Sequence, residues 1–179
     1  VLYAPTFRDD VKQGKRFAWE RVLDWERLVD GLREDTVVLV RRHDVVRGSL
    51  KIPAELADRI LDVSDHPDMQ DLLCAADVLI TDYSSVMFDF AILDRPIVLF
   101  CYDLEHYRDD LRGFYFDLEA EAPGPLVTTQ EALHEALVTA EDPGRDEFAD
   151  RRRRFRERFA PLDDGGATRR VVDQVFGDR

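Results

Sequence analysis

The sequence predicts an α/β fold, a Rossmann-like parallel sheet with helices on both faces. Short apolar runs rich in β-branched residues alternate with helical patterns from one end of the chain to the other, the signature of strands joined by crossover helices. Those runs are too short to be independent helices. The composition agrees: 179 residues, 45% hydrophobic and 35% charged, with 9 Gly and 8 Pro, make an ordinary globular chain, long enough for one core and short for two. Residues 1–179 are therefore expected to form a single domain, with 144–179 as a charged helical carboxyl-terminal extension.

The first strand is expected over Val1–Ala4, and because the chain opens there without an initiator methionine it is expected to be part of something longer. Lys12–Arg16, the least regular stretch, reads as a surface loop. Asp24 is placed to cap a helix whose Trp25, Leu28, Val29 and Leu32 fall at i, i+3, i+4 and i+7. Strands follow at Val37–Val40 and Ile60–Val63. Asp68 caps the next helix, with Met69, Leu72, Leu73 and Ala76 repeating the same spacing, and a strand follows at Val78–Thr81. From Ser84 to Leu93 hardly any polar face is left, so that helix is expected to be covered on most sides. Ile97–Phe100 is the fifth strand. Thr128-Thr129-Gln130-Glu131 reads as a capping box opening a helix with Leu133, Ala136, Leu137 and Ala140 inward. Beyond Pro143-Gly144 the chain is charged and helical, and it closes on an amphipathic helix carrying Val171, Val172, Val175 and Phe176.

Charge excludes one class of partner. With 38 acidic against 25 basic residues the net charge is −13, which repels a nucleic-acid backbone. Cys74 and Cys101 both lie in apolar sequence without metal-like spacing; they read as small hydrophobes in a reducing, cytoplasmic setting, not as a disulfide or zinc framework. No apolar run reaches the ~20 residues that span a bilayer. Gly-x-Gly-x-x-Gly, Walker and Gly-x-Ser-x-Gly motifs are absent, which disfavours dinucleotide redox chemistry, ATP hydrolysis and serine hydrolysis. No cofactor and no metal site is expected. His66 and His106 have no partner at triad or ligand spacing and read as ordinary surface residues.

The segment that carries chemistry is Thr81-Asp82-Tyr83-Ser84-Ser85, a polar interruption between an apolar strand and an apolar helix. At the carboxyl end of a parallel strand it lies where open α/β sheets bind ligands. The first turn of a helix offers unpaired N–H groups, and two hydroxyls placed there complete a phosphate cradle. The same residues also suit a plain helix cap, and the local sequence leaves both readings open.

Taken together, "VLYAPTFRDD", "VLVRRHD" and "DMQDLLCAADVLITDYSSVMFDFAILDRPIVLFCYDLEHYRDDLRGFYFDLEAEAPGPL" resemble the carboxyl-terminal half of the CDP-glycerol glycerophosphotransferases, the teichoic acid polymerase and primase family. The likeness runs from Val1 to about Leu137. It implies the donor-binding half of a two-domain glycosyltransferase-B (GT-B) architecture, holding a CDP-glycerol or related CDP-polyol while glycerol phosphate passes to a lipid-linked, teichoic-acid-like polymer.

Carried over residue by residue, the resemblance implies a donor-binding turn from Thr81 to Ser85. Ser84 and Ser85 would hold the donor's phosphates with their amides, while Asp82 would order the turn or hydrogen-bond the substrate. His43, within Arg41-Arg42-His43, is implied to be essential, with guanidinium groups beside it stabilising charge on the leaving CMP. Asp44 stands where the family has proline, and a carboxylate there favours a protonated, charge-stabilising imidazole over a general base. Arg8 can reach the same crevice or be a solvated loop residue. Arg112 is a candidate phosphate contact, with Gly113 serving a turn.

Six arginines fall within Arg151–Arg158. They read as a solvated helix packed by Phe148, Phe155 and Phe159, or as a peripheral contact with an anionic membrane at the inner face of the cell membrane. Two other functions stay open, a GT-B glycosyltransferase using a nucleotide-sugar and a non-catalytic phosphate-binding module.

Overall fold

The computed structural model describes residues 1–13, 16–18, 22–43, 45–47 and 50–177. Its strands are β1 (Leu2–Tyr3), β2 (Lys12–Gln13), β3 (Arg16–Ala18), β4 (Val38–Val40), β5 (Val46–Arg47), β6 (Ile60–Asp62), β7 (Leu79–Thr81), β8 (Ile97–Phe100) and β9 (Leu126–Val127). Six of them form one parallel sheet in the order β6-β4-β1-β7-β8-β9. Taken in chain order, that arrangement is 3-2-1-4-5-6, the doubly wound order, and the direction of winding reverses beside β1. All five expected strands are present.

Period-two alternation sends successive side chains of this sheet into two separate cores. On one face Leu2, Leu79, Ile97 and Leu99 meet α2 (Met69–Ala75), α3 (Val86–Ala91) and, farther along the chain, α7 (Ala149–Phe159). On the other, Tyr3, Ile80, Val98 and Phe100 meet α1 (Trp25–Val29) and α6 (Gln130–Ala140). Between α3 and α6 lie α4 (Leu104–His106), which continues into a π-helical turn over Tyr107–Leu111, and α5 (Leu118–Glu121); the last helix is α8 (Ala167–Phe176).

Asp24 and Asp68 cap α1 and α2 as expected, accepting from the amides of Arg27 at 3.2 Å and Gln70 at 2.8 Å. The box ahead of α6 is shifted by one residue. Thr129, not Thr128, accepts from Ala132 N, and Gln130 reaches back to both the amide and the carbonyl of Asp24, joining the starts of α6 and α1. The helix expected from Ser84 begins two residues later, at Val86.

Two expectations need correction, and one strand is unforeseen. The loop expected over Lys12–Arg16 is part of a second, three-stranded sheet, β2-β3-β5, in which β2 and β3 run antiparallel and β3 and β5 parallel; Gly14 and Lys15 lie outside the described residues. Its strands are two or three residues long, so no periodicity announces them. Cys74 is exposed on α2, while Cys101 is buried and its thiol is pushed up by burial. Lastly, β9 follows Pro123-Gly124-Pro125, where two prolines mask a two-residue strand.

The arginine-rich α7 is integral to the core. Phe155 is buried, stacked on Phe88 at 5.1 Å and touching Phe159 at 4.7 Å. Arg152, only 2% exposed, is held by Asp146 at 2.6 Å and Asp94 at 2.9 Å. On α8, by contrast, Val171, Val172, Val175 and Phe176 are all exposed.

Candidate functional site

The loops that leave β1, β4 and β7 at their carboxyl ends converge at the reversal of strand order. Tyr3, Thr6, Phe7, Arg8, His43, Asp82 and Tyr102 line a narrow crevice there, of about 30 Å³. Larger cavities of about 320 and 540 Å³ lie at the opposite edge, beside Pro96, Pro125 and Val37 at the amino ends of the strands. In a parallel sheet the carboxyl ends are where loops gather ligand-binding groups, so the tighter crevice is the candidate site.

Its centre is a buried ion cluster. Asp82, 1% exposed, accepts hydrogen bonds from Thr6 N at 2.9 Å, Arg8 Nη1 at 2.8 Å and Ser84 N at 3.2 Å. Burial pushes its carboxyl up from the ordinary value, and the Arg8 guanidinium with the Thr6 amide opposes that push. Arg8 is itself buried. It donates from Nε and Nη2 to Asp103 at 2.6 and 3.0 Å and from Nη1 to the Thr6 carbonyl at 3.1 Å. Its guanidinium carbon lies 5.0, 5.2 and 5.4 Å from the ring centres of Tyr83, Tyr102 and Tyr107. Tyr83 donates its hydroxyl to Asp103 at 3.0 Å and stacks on Tyr107 at 3.8 Å; burial raises its pKa.

Arg8 reaches the crevice, as one of its two readings has it, and is not a solvated loop residue. It is an internal cation holding Asp82 and Asp103 together. Thr81 is likewise fully buried and donates its hydroxyl to the Ala4 carbonyl at 2.8 Å, stitching β7 to the end of β1. With Asp82 turned inward, Ser84 and Ser85 stand at the outer side of the turn. The Ser84 hydroxyl accepts from Val86 N at 3.4 Å, a weak cap, and the exposed Ser85 hydroxyl has no protein partner among the described residues.

His43 is exposed at the rim. Its Nδ1 accepts from Val45 N at 3.3 Å, its carbonyl accepts from Val46 N at 2.9 Å, and its ring meets Phe7 edge-on at 4.9 Å. Asp44 lies outside the described residues. Arg41 does not line the crevice. Its Nη1 donates to the carbonyls of Val63 at 3.2 Å and His66 at 2.7 Å and to that of Ser64, and Arg42 is buried against Asp62 at 3.0 Å. Both guanidinium groups therefore brace the loop after β6, an arrangement no spacing in the sequence signals.

Arg112 reaches the site through Phe7, lying 5.0 Å from its ring centre, and pairs bidentately with Asp9 at 2.6 and 2.9 Å. Gly113 takes φ +66° in the turn that follows, as expected. A pattern invisible in the sequence emerges here. Arg8, Asp9 and Asp10 pair in succession with Asp103, Arg112 and His106, and His106 uses both ring nitrogens, on Asp10 at 2.8 Å and Asp110 at 3.1 Å. The only hint is complementary charge in "RDD" and "DLEHYRDDLR". Among the described residues no group of His, Cys, Asp and Glu is arranged to hold a metal ion, and no helix is long and apolar enough to cross a membrane.

Comparison with known proteins gives the family and the fold. The profile of the family described as CDP-Glycerol:Poly(glycerophosphate) glycerophosphotransferase matches residues 1–177. The chain is 41% identical over 178 residues to a teichoic acid glycerol-phosphate transferase of Staphylococcus aureus (strain NCTC 8325 / PS 47), covering 98% of this chain and 44% of the relative. It is also 41% identical to a teichoic acid poly(glycerol phosphate) polymerase of Bacillus subtilis (strain 168), covering 98% and 24%. Among solved structures, the wall teichoic acid polymerase TagF superposes with a TM-score of 0.81 at 36% identity, covering 97% of this chain and 42% of that one. A histidine-to-asparagine variant of TagF soaked with CDPG gives 0.82 at 35% identity over the same shares. The chain spans less than half the length of these relatives.

Proposed function

The chain belongs to the CDP-glycerol:poly(glycerophosphate) glycerophosphotransferase family, and from that premise we propose that it is the donor-binding half of a transferase that moves glycerol phosphate, or a related polyol phosphate, from CDP-glycerol to a teichoic-acid-like acceptor. In that reaction the acceptor hydroxyl oxygen attacks the phosphorus that carries glycerol and forms a new P–O bond. The bond from that phosphorus to the bridging oxygen breaks, and CMP leaves with its electron pair. Little covalent chemistry falls to the protein, so its task is positioning and charge stabilisation.

One observation carries the reading. Asp82 is turned inward, neutralised by Arg8 and bonded by the Ser84 amide, so the turn presents the hydroxyls of Ser84 and Ser85, not a carboxylate, at the strand reversal. Ser84 and Ser85 then take the diphosphate, His43 faces it from the β4 side, and Arg112 borders it. Asp82, Thr81 and Arg8 act beneath, holding the turn, and Arg41 braces the neighbouring loop. The base that takes the hydroxyl proton is assigned to the remainder of the longer protein. We place that protein in the cytoplasm, against the inner face of the membrane, where the exposed Arg153, Arg154 and Arg158 of α7 offer charge to anionic lipid.

Calorimetric titration of the full-length protein with CDP-glycerol, CMP, UDP-glucose and ATP tests this. Cytidine-selective binding, lost in Ser84→Ala/Ser85→Ala, is expected. Selective uptake of UDP-glucose would assign a nucleotide-sugar glycosyltransferase instead. Binding of CDP-glycerol without any turnover would assign a non-catalytic module.

A further inference from the structure

We propose that Tyr115 is an acceptor contact, the residue of this half that meets the polyol-phosphate chain beside its attacking hydroxyl; the proposal rests on the CDP-glycerol reading above. The first observation is the side chain itself. Tyr115 is fully exposed, and neither its ring nor its hydroxyl has a partner among the described residues. The second is how firmly its neighbours are held. Arg112 is fixed by two hydrogen bonds to Asp9 and lies 5.0 Å from the Phe7 ring centre. Phe114 stands 5.5 Å from the ring centre of Tyr83 and 5.8 Å from that of Tyr107. Phe116 packs 4.9 Å from Phe159 and 6.1 Å from both Phe88 and Phe155. Residues 112, 114 and 116 are thus pinned while 115 points outward, on a segment joined to the crevice twice, through Phe7 and through Tyr83. A pre-ordered aromatic loses little freedom when a ligand covers it, which suits a contact residue.

The third is direction. In phosphoryl transfer the attacking and leaving oxygens lie roughly in line, so the acceptor approaches the phosphorus from the side opposite CMP. His43, which on this reading stands at the leaving CMP, follows β4, and residues 112–116 follow β8, three strand spacings or about 14 Å across the sheet. The acceptor therefore enters over the β8 side, where Tyr115 projects. An amphipathic ring fits that ligand: its face lies against the carbon chain of the polyol while its hydroxyl donates to a phosphodiester oxygen. Tyr115 forms no bond to phosphorus and takes no proton; it holds the chain so that the terminal hydroxyl reaches the donor.

The test uses the full-length protein, CDP-glycerol and a lipid-linked glycerol-phosphate oligomer as acceptor. Tyr115→Ala should raise the KM for the acceptor about tenfold, the cost of truncating one aromatic contact, while kcat and the calorimetric Kd for CDP-glycerol stay within about twofold. Tyr115→Asp should raise that KM further, because the acceptor carries charge of the same sign. Thermal unfolding should not move in either variant, since the side chain packs on nothing in the described fold. An unchanged acceptor KM overturns the proposal. So does a weakened Kd for CDP-glycerol, which would put the cytidine on this side, and so does a loss of kcat alone, which would make Tyr115 a contact between the two halves of the longer protein. Wild-type protein that binds no CDP-glycerol would instead sink the functional reading, an outcome that no change at residue 115 imitates.

Discussion

Replacing Arg8 with methionine removes the only cation that touches Asp82 within the described residues and keeps most of the side-chain volume. Asp82 is 1% exposed and would be left with two amide donors, while Asp103 is partly exposed and retains the Tyr83 hydroxyl. Removing one partner of a buried ion pair leaves an uncompensated charge and costs about 3–5 kcal/mol. For a domain of this size that corresponds to roughly 6–20 °C in Tm. Burial raises the Asp82 carboxyl, and without Arg8 less opposes it. A carboxyl raised in the folded state weakens folding above its unfolded value, so the penalty should shrink toward the ordinary carboxylate value of 3.8 and grow as pH rises to neutrality. Urea unfolding of Arg8→Met, Asp82→Asn and the double variant at acidic and neutral pH measures it. The double variant should be more stable than Arg8→Met at pH 7. Loss below about 1 kcal/mol for Arg8→Met, or a double variant whose cost is the sum of the singles, would refute the account.

Phe155→Ala should cost about 3–5 kcal/mol in urea unfolding, because it opens the stack between Phe88 and Phe159 in the core. Gly124→Ala should be strongly destabilising, at or beyond the upper end of about 1–3 kcal/mol, since a Cβ there would stand 1.7 Å from the Ile97 carbonyl oxygen; thermal unfolding checks it. Two carboxylates, Asp10 first and then Asp110, raise the His106 pKa above 6.5. That stabilisation is complete below 6.5 and is lost as pH rises through the raised value, so hydrogen exchange of residues 6–10 should speed up over that window in wild type and change little in His106→Gln.

The main sheet was legible because burial on both faces selects Val, Ile and Leu in short runs, and the runs at 37–40, 60–63, 78–81 and 97–100 stand out in a charged chain. Asp24 and Asp68 were legible because a cap acts within two or three residues. Illegible features depend on partners far away in sequence. Arg8 reads equally as a crevice or a loop residue until Asp82 and Asp103 arrive 74 and 95 positions later, and Arg152 looks solvated until Asp94, 58 positions earlier, is brought beside it. The second sheet was missed for the same reason, with β3 and β5 defined by one another rather than by pattern. Around the crevice, the polar turn at 81–85 stands out in the sequence, and the ion cluster of Arg8, Asp82 and Asp103 beneath it does not.

The three successive pairs that join residues 8–10 to residues 103–112 have a kinetic meaning. They close over sequence separations of 95, 103 and 96, so none can form until β8 and the segment after it have taken their places. Loop closure over such spans is slow compared with local helix formation. The crevice should therefore be among the last parts of the molecule to order during folding and among the first to open on unfolding, ahead of the sheet that carries it.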